Sequence, residues 1–69
     1  MTTKYDTNDI MIHSSVQPAF LGFWIYHVGT RNSRTQKDLA NEYGTRFGKR
    51  RAIRARDEAF DKQEAAFVR

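Results

Sequence analysis

Residues 35–48 read TQKDLANEYGTRFG, and the fold turns on how this stretch is read. Leu39, Ala40, Tyr43 and Phe47 recur at spacings of three and four, which places them on one helical face. Thr35 followed by Asp38 is a shortened capping box, and Ser33 with Gln36 offers a competing helix start. Gly44 and Gly48 oppose this reading at about 1 kcal/mol each inside a helix, so a break near one of them is the alternative to a continuous rod.

Downstream the pattern is regular. Ala52-Ile53, Ala59-Phe60 and Ala66-Phe67 repeat an apolar pair at heptad spacing, with Arg56 and Gln63 between them. The result is a narrow stripe on a helix otherwise covered by charge. Unbroken over residues 35–67, such a helix runs about 50 Å, longer than any core the rest of the chain supplies, so part of its stripe calls for another chain.

Upstream, GTRNSRT at 29–35 is a turn, and residues 10–30 contain no Asp, Glu, Lys or Arg. This uncharged window holds Ile10, Met11, Ile12, Val16, Phe20, Leu21, Phe23, Trp24, Ile25, Tyr26 and Val28. Its β-branched and aromatic content suits a pair of strands. Pro18 at a first helical position and Gly29 at a stop favour a short helix instead. The window is also about as long as a membrane-crossing helix, although His13, Ser14, Ser15, Gln17 and His27 then lie inside it. Residues 1–9 read as a flexible arm. The expected fold is mainly α: a short N-terminal aromatic helix, or strand pair, against a long basic C-terminal helix, continuous or broken. The expected organisation is an arm at 1–9, an apolar segment at 10–30 and a basic-to-acidic helical region at 31–69.

With 69 residues and no cysteine, the chain has one thin core and no disulfide or thiolate metal site to supplement it. Its net charge of +4 is unevenly spread. Residues 31–56 carry Arg31, Arg34, Lys37, Arg46, Lys49, Arg50, Arg51, Arg54 and Arg56 against Asp38 and Glu42, while Asp57, Glu58, Asp61 and Glu64 follow. A positive middle of this kind attracts a polyanion or an acidic protein face. Arg46, Lys49, Arg50, Arg51, Arg54 and Arg56 are the candidate nucleic-acid-binding residues, because closely spaced guanidinium groups can grip phosphates in bidentate fashion and reach base edges. Read as solvated surface, the same run is only partly neutralised by pairs such as Arg54 with Glu58.

QKDLANEYGTRFGKRRAI, residues 36–53, has the outline of a helix-turn-helix. The fit is incomplete, since Thr45 stands where an apolar turn residue packs and Arg50 falls at an expected buried position. Phe20, Phe23, Trp24 and Tyr26, with Ile53, Phe60 and Phe67, are the candidate partner-packing residues. Stacking of bases on the four aromatics is the less favoured use.

Catalytic chemistry has little support. His13 and His27 have no carboxylate at short spacing, and Ser14 or Ser15 beside His13 does not make a triad. No Gly-rich phosphate loop follows a strand. The expectation is a non-enzymatic protein with no cofactor and no metal, binding DNA or RNA through an arginine-rich helix. The alternatives are an accessory subunit of a membrane or other large complex, anchored by residues 10–30, and a small inhibitor or adaptor in an acidic protein groove. Either a larger assembly or an oligomer is expected. The N-terminus lacks a secretory pattern, which points to cytoplasm or an organellar matrix, with membrane association as the alternative.

Overall fold

The uncharged window folds as a β-hairpin. A computed structural model describes residues 2–5, in backbone, and residues 9–68. The elements are β1 (Thr2–Tyr5), β2 (Ile10–Pro18), β3 (Phe23–Asn32), β4 (Lys37–Phe47) and α1 (Lys49–Phe67). The strands form an open antiparallel sheet in the order β1-β2-β3-β4, with α1 on one face. Register between β2 and β3 runs from Ile10 opposite Asn32 to Pro18 opposite Trp24.

Alternation sorts the two faces. Ile10, Ile12, Ser14 and Val16 of β2 lie on the helix side with Tyr26, Val28 and Thr30 of β3. Met11, His13 and Ser15 share the uncovered side with Ile25 and His27. The core is small: Ile10, Ile12, Tyr26, Val28, Ala52 and Ala59 are its buried apolar residues. Phe60 and Phe67 pack against it from α1. One polar group joins the two layers. Gln63 is buried; its amide nitrogen donates to the Val28 carbonyl at 3.1 Å, and its side-chain oxygen accepts from the Thr30 hydroxyl.

This overturns the expected mainly α fold: the chain is mixed and mostly strand, and its described helix begins at Lys49 rather than near residue 35. Residues 37–47 pair with β3 along their length, with one irregularity at Thr30/Arg31. The residues read as helix caps build the β3–β4 turn instead. Asn32 Oδ1 accepts from the amides of Arg34 and Thr35 at 2.9 and 3.0 Å, and Gln36 adopts φ 61. Gly44 lies beneath the Tyr26 ring, where a Cβ would stand 2.3 Å from Tyr26 Cε1. Gly48 takes φ 91 and turns the chain from β4 into α1. With residues 37–47 in a sheet, the helix-turn-helix outline also disappears.

Two related expectations fall with the helical fold. The chain does not present an arginine-rich helix: Arg46 is on β4, the bases of α1 give way to Asp57, Glu58, Asp61 and Glu64, and Arg31 and Arg34 pair with Asp38 and Asp9 at 3.8 and 3.6 Å. The membrane-embedded reading of residues 10–30 is corrected likewise. That segment is two strands of an open sheet, and no described helix is long and apolar enough to cross a membrane.

Candidate functional site

The β2–β3 turn, residues 19–22, sits beside the β4–α1 junction. Within the turn, the Ala19 amide donates to the Phe23 carbonyl at 2.9 Å and the Phe23 amide to the Phe20 carbonyl at 2.8 Å. Leu21 and Gly22 both have positive φ, at 48 and 81. The Gly48 amide donates to the Gly22 carbonyl at 2.8 Å and ties the junction to the turn. Gly22 is also close under Phe47, whose Cε1 lies 3.1 Å from where a Cβ would stand.

Four large apolar side chains project from this end. Phe20, Leu21 and Phe47 are 67%, 82% and 59% exposed, and Phe23 is exposed beside them. Phe23 lies 5.9 Å from Phe20 and 5.3 Å edge-on from Phe47, so three rings form a connected cluster. Leu21 is unusual twice over: its side chain faces water, and its backbone occupies a left-handed region costing about 1–2 kcal/mol for a residue with a Cβ.

Cations stand on the helix side of the same end, against rings outside the cluster. Lys49 Nζ lies 5.5 Å from the Trp24 ring centroid, and Arg46 lies over Tyr26 at 5.3 Å. Arg50, Arg51 and Arg54 are exposed and have no ion-pair partner among the described residues. The first turn of α1 contains no acid, and Gly48 supplies no side-chain cap. Amides at a helix start lack intrahelical acceptors, and the macrodipole adds positive potential there. No Asp or Glu occurs in residues 10–37 or 43–56. Carboxylates border the group further along α1: Glu58 shares a depression of about 250 Å³ with Arg46, Arg51 and Arg54, and Asp57, Glu58 and Asp61 share another with Arg50 and Arg54.

The uncovered sheet face continues from the ring cluster. His27 stacks on Tyr43 at 4.4 Å, and its ring centroid is 5.3 Å from that of His13. His27 Nε2 is 3.0 Å from Asn41 Oδ1, and the His13 ring overlies Gly29. Burial, the neighbouring His27 and Arg31 lower the His13 pKa from the ordinary 6.5, against a weaker upward pull from Asp38. Ser14 points to the opposite face from His13, so the pleat separates that hydroxyl from both imidazoles. Among the described residues, no group of three or more His, Cys, Asp or Glu side chains is placed to hold a metal ion.

The structure thus gathers some predicted site residues and scatters others. Lys49, Arg50, Arg51 and Arg54 share the helix start, with Arg46 beside them on β4. Arg56 is half-buried, bonded to Asp57 at 2.9 Å, and lies by Ser14 towards β2. Of the predicted partner-packing residues, Tyr26 is buried, Trp24, Ile53, Phe60 and Phe67 are half-buried, and Phe20 and Phe23 are exposed. Leu21, Tyr43, Phe47 and the His13–His27 pair join the surface without having been singled out as site residues. The one available signal is that Tyr43, Thr45 and Phe47 alternate with Glu42, Gly44 and Arg46. No family model, curated protein or solved structure matches the chain.

Proposed function

We propose that the protein is a non-enzymatic binder of single-stranded nucleic acid. In this reading, unstacked bases lie against Phe20, Phe23 and Phe47, and phosphates meet Lys49, Arg50, Arg51 and Arg54. The observation that carries it is the coincidence of an exposed ring cluster with a cationic helix start whose first turn contains no acid. Base–aromatic stacking contributes about 1–3 kcal/mol per base and needs an exposed ring face, while cations supply a sequence-independent attraction to the backbone. An isolated ring cluster points equally to a protein partner; the surrounding uncompensated charge favours a polyanion.

Fluorescence anisotropy with labelled single- and double-stranded oligonucleotides of DNA and RNA tests this. Single strands are expected to bind more tightly than duplex, with affinity falling on a log–log salt plot at a slope of about −2 to −3 for three to four phosphate contacts. Phe20→Ala and Phe47→Ala should each weaken binding about tenfold or more while the circular dichroism spectrum is retained. Absence of binding to every oligonucleotide at low salt would reject the reading.

A further inference from the structure

We propose that β4 is a self-association edge, through which two copies pair antiparallel about a two-fold axis passing through Gly44. This inference is argued from the β4 edge and does not rest on the nucleic-acid reading; the two share only Phe47, at the end of the paired segment.

β4 spans 11 residues and, among the described residues, pairs with β3 alone, so its other edge presents a row of backbone donors and acceptors with no strand partner there. It contains no proline. An antiparallel pair generated by a two-fold axis normal to the sheet keeps both helices on one side and both uncovered faces on the other. Residues facing each other must then share a face, which restricts the axis to a residue position.

The charges of β4 select among these positions. Glu42 and Arg46 lie on the helix face, two residues to either side of Gly44. Neither has an ion-pair partner among the described residues: Glu42 accepts a 3.4 Å bond from the Tyr26 hydroxyl, and Arg46 donates to its neighbour's carbonyl, that of Thr45, at 2.8 Å. With the axis at Gly44, each Glu42 faces the Arg46 of the second copy, twice by symmetry. Tyr43 then faces Thr45, and Asn41 faces Phe47. With the axis at Glu42, two glutamates oppose each other; at Tyr43, both charges lose their partners.

Packing agrees with this choice. Tyr26 reaches over Gly44 towards the edge, with Glu42 bonded to its hydroxyl and Arg46 on its ring. Two glycines on the axis therefore place no side chain between the strands. A depression of about 190 Å³ beside the edge, lined in part by Tyr26, Glu42, Arg46, Glu58 and Lys62, leaves room for the partner's side chains. A second copy also answers the thinness of the core, since small chains without disulfides or metals often depend on association.

Light scattering across a dilution series tests the assignment on the intact chain. The expected mass is twice 8.1 kDa at high concentration, falling to one chain on dilution. Glu42→Arg and Arg46→Glu alone should each raise the dimer dissociation constant at least about tenfold by placing like charges opposite each other, and the double exchange should restore it. Within one chain these residues do not pair, so restoration cannot arise internally. Concentration-dependent protection of the amides of residues 41–47 in hydrogen exchange gives a second readout on the unmutated protein. A monomer at every concentration, a dimer indifferent to the single reversals, a double exchange that folds without restoring association, or edge amides that exchange equally fast at all concentrations would each overturn the proposal.

Discussion

Gln63 and Ser14 occupy the same helix–sheet interface and have opposite hydrogen-bonding fates. Gln63 is buried with its oxygen and amide nitrogen both engaged by β3, whereas Ser14 Oγ is buried and has no hydrogen-bond partner among the described residues. Gln63→Ala strands the Val28 carbonyl and the Thr30 hydroxyl in the core and is expected to cost about 2 kcal/mol. Ser14→Ala removes an unsatisfied hydroxyl and should raise stability by about 1 kcal/mol. Urea denaturation of the two variants, read as midpoint shifts at unchanged slope, checks both signs. His13 makes a third residue-scale expectation. Burial, His27 and Arg31 lower its folded pKa below 6.5, with Asp38 opposing. Between that lowered value and 6.5 the unfolded chain therefore binds more protons than the folded one. The His13 contribution is present above the unfolded pKa, declines as pH falls through 6.5 and is gone below the folded value. Stability measured from pH 7.5 to 5 should fall with acidification, and His13→Gln should flatten that decline relative to the parent chain.

At the scale of elements, β4 and its junction with α1 each require a glycine, for different reasons. Gly44 has no space for a Cβ because Tyr26 fills it, while Gly48 has open space around it but a φ of 91. Gly44→Ala is expected to cost about 1–3 kcal/mol through overpacking, and Gly48→Ala about 1–2 kcal/mol through backbone strain. Double-mutant cycles with Tyr26→Ala separate these causes. Coupling is expected at Gly44 and absent at Gly48; the same coupling at both sites would sink the distinction. These glycines also show what was legible in the sequence. The stripe of α1 from Ala52 to Phe67 was readable because a charged surface leaves only one apolar side to bury. β4 was not, because Leu39, Ala40, Tyr43 and Phe47 fit a helical spacing while its strand alternation places glycine, charge and alanine on the inner face. Only the Tyr26 ring, carried by a strand distant in sequence, explains why that face is small at Gly44. The hairpin was readable as one of two options, and pairing along nine positions outweighed the local signals of Pro18 and Gly29. For the candidate site, the bases of the helix start were legible as a cluster, but their meeting with Phe20, Phe23 and Phe47 depended on the sheet register.

Across the whole molecule, the cationic end conflicts with the stability of the helix it begins. Lys49, Arg50 and Arg51 occupy the first turn of α1 without a capping side chain or an acid, where the macrodipole already concentrates positive potential. Acidic residues collect instead from Asp57 to Glu64. Folding alone favours the reverse order, with carboxylates first and bases last. An anion bound at this end relieves the repulsion, so fold stability and binding compete for the same positions. Arg50→Glu and Arg51→Glu are therefore expected to stabilise the free protein by about 0.3–1 kcal/mol each at low ionic strength, with the gain fading as salt rises. The same substitutions should weaken oligonucleotide binding at least about tenfold by opposing the phosphates. Paired measurements of thermal midpoint and anisotropy affinity follow both quantities on the same samples. Stability rising while affinity falls is the result the charge distribution requires; a parallel fall in both means that these arginines support the fold and that stability and binding do not compete for them.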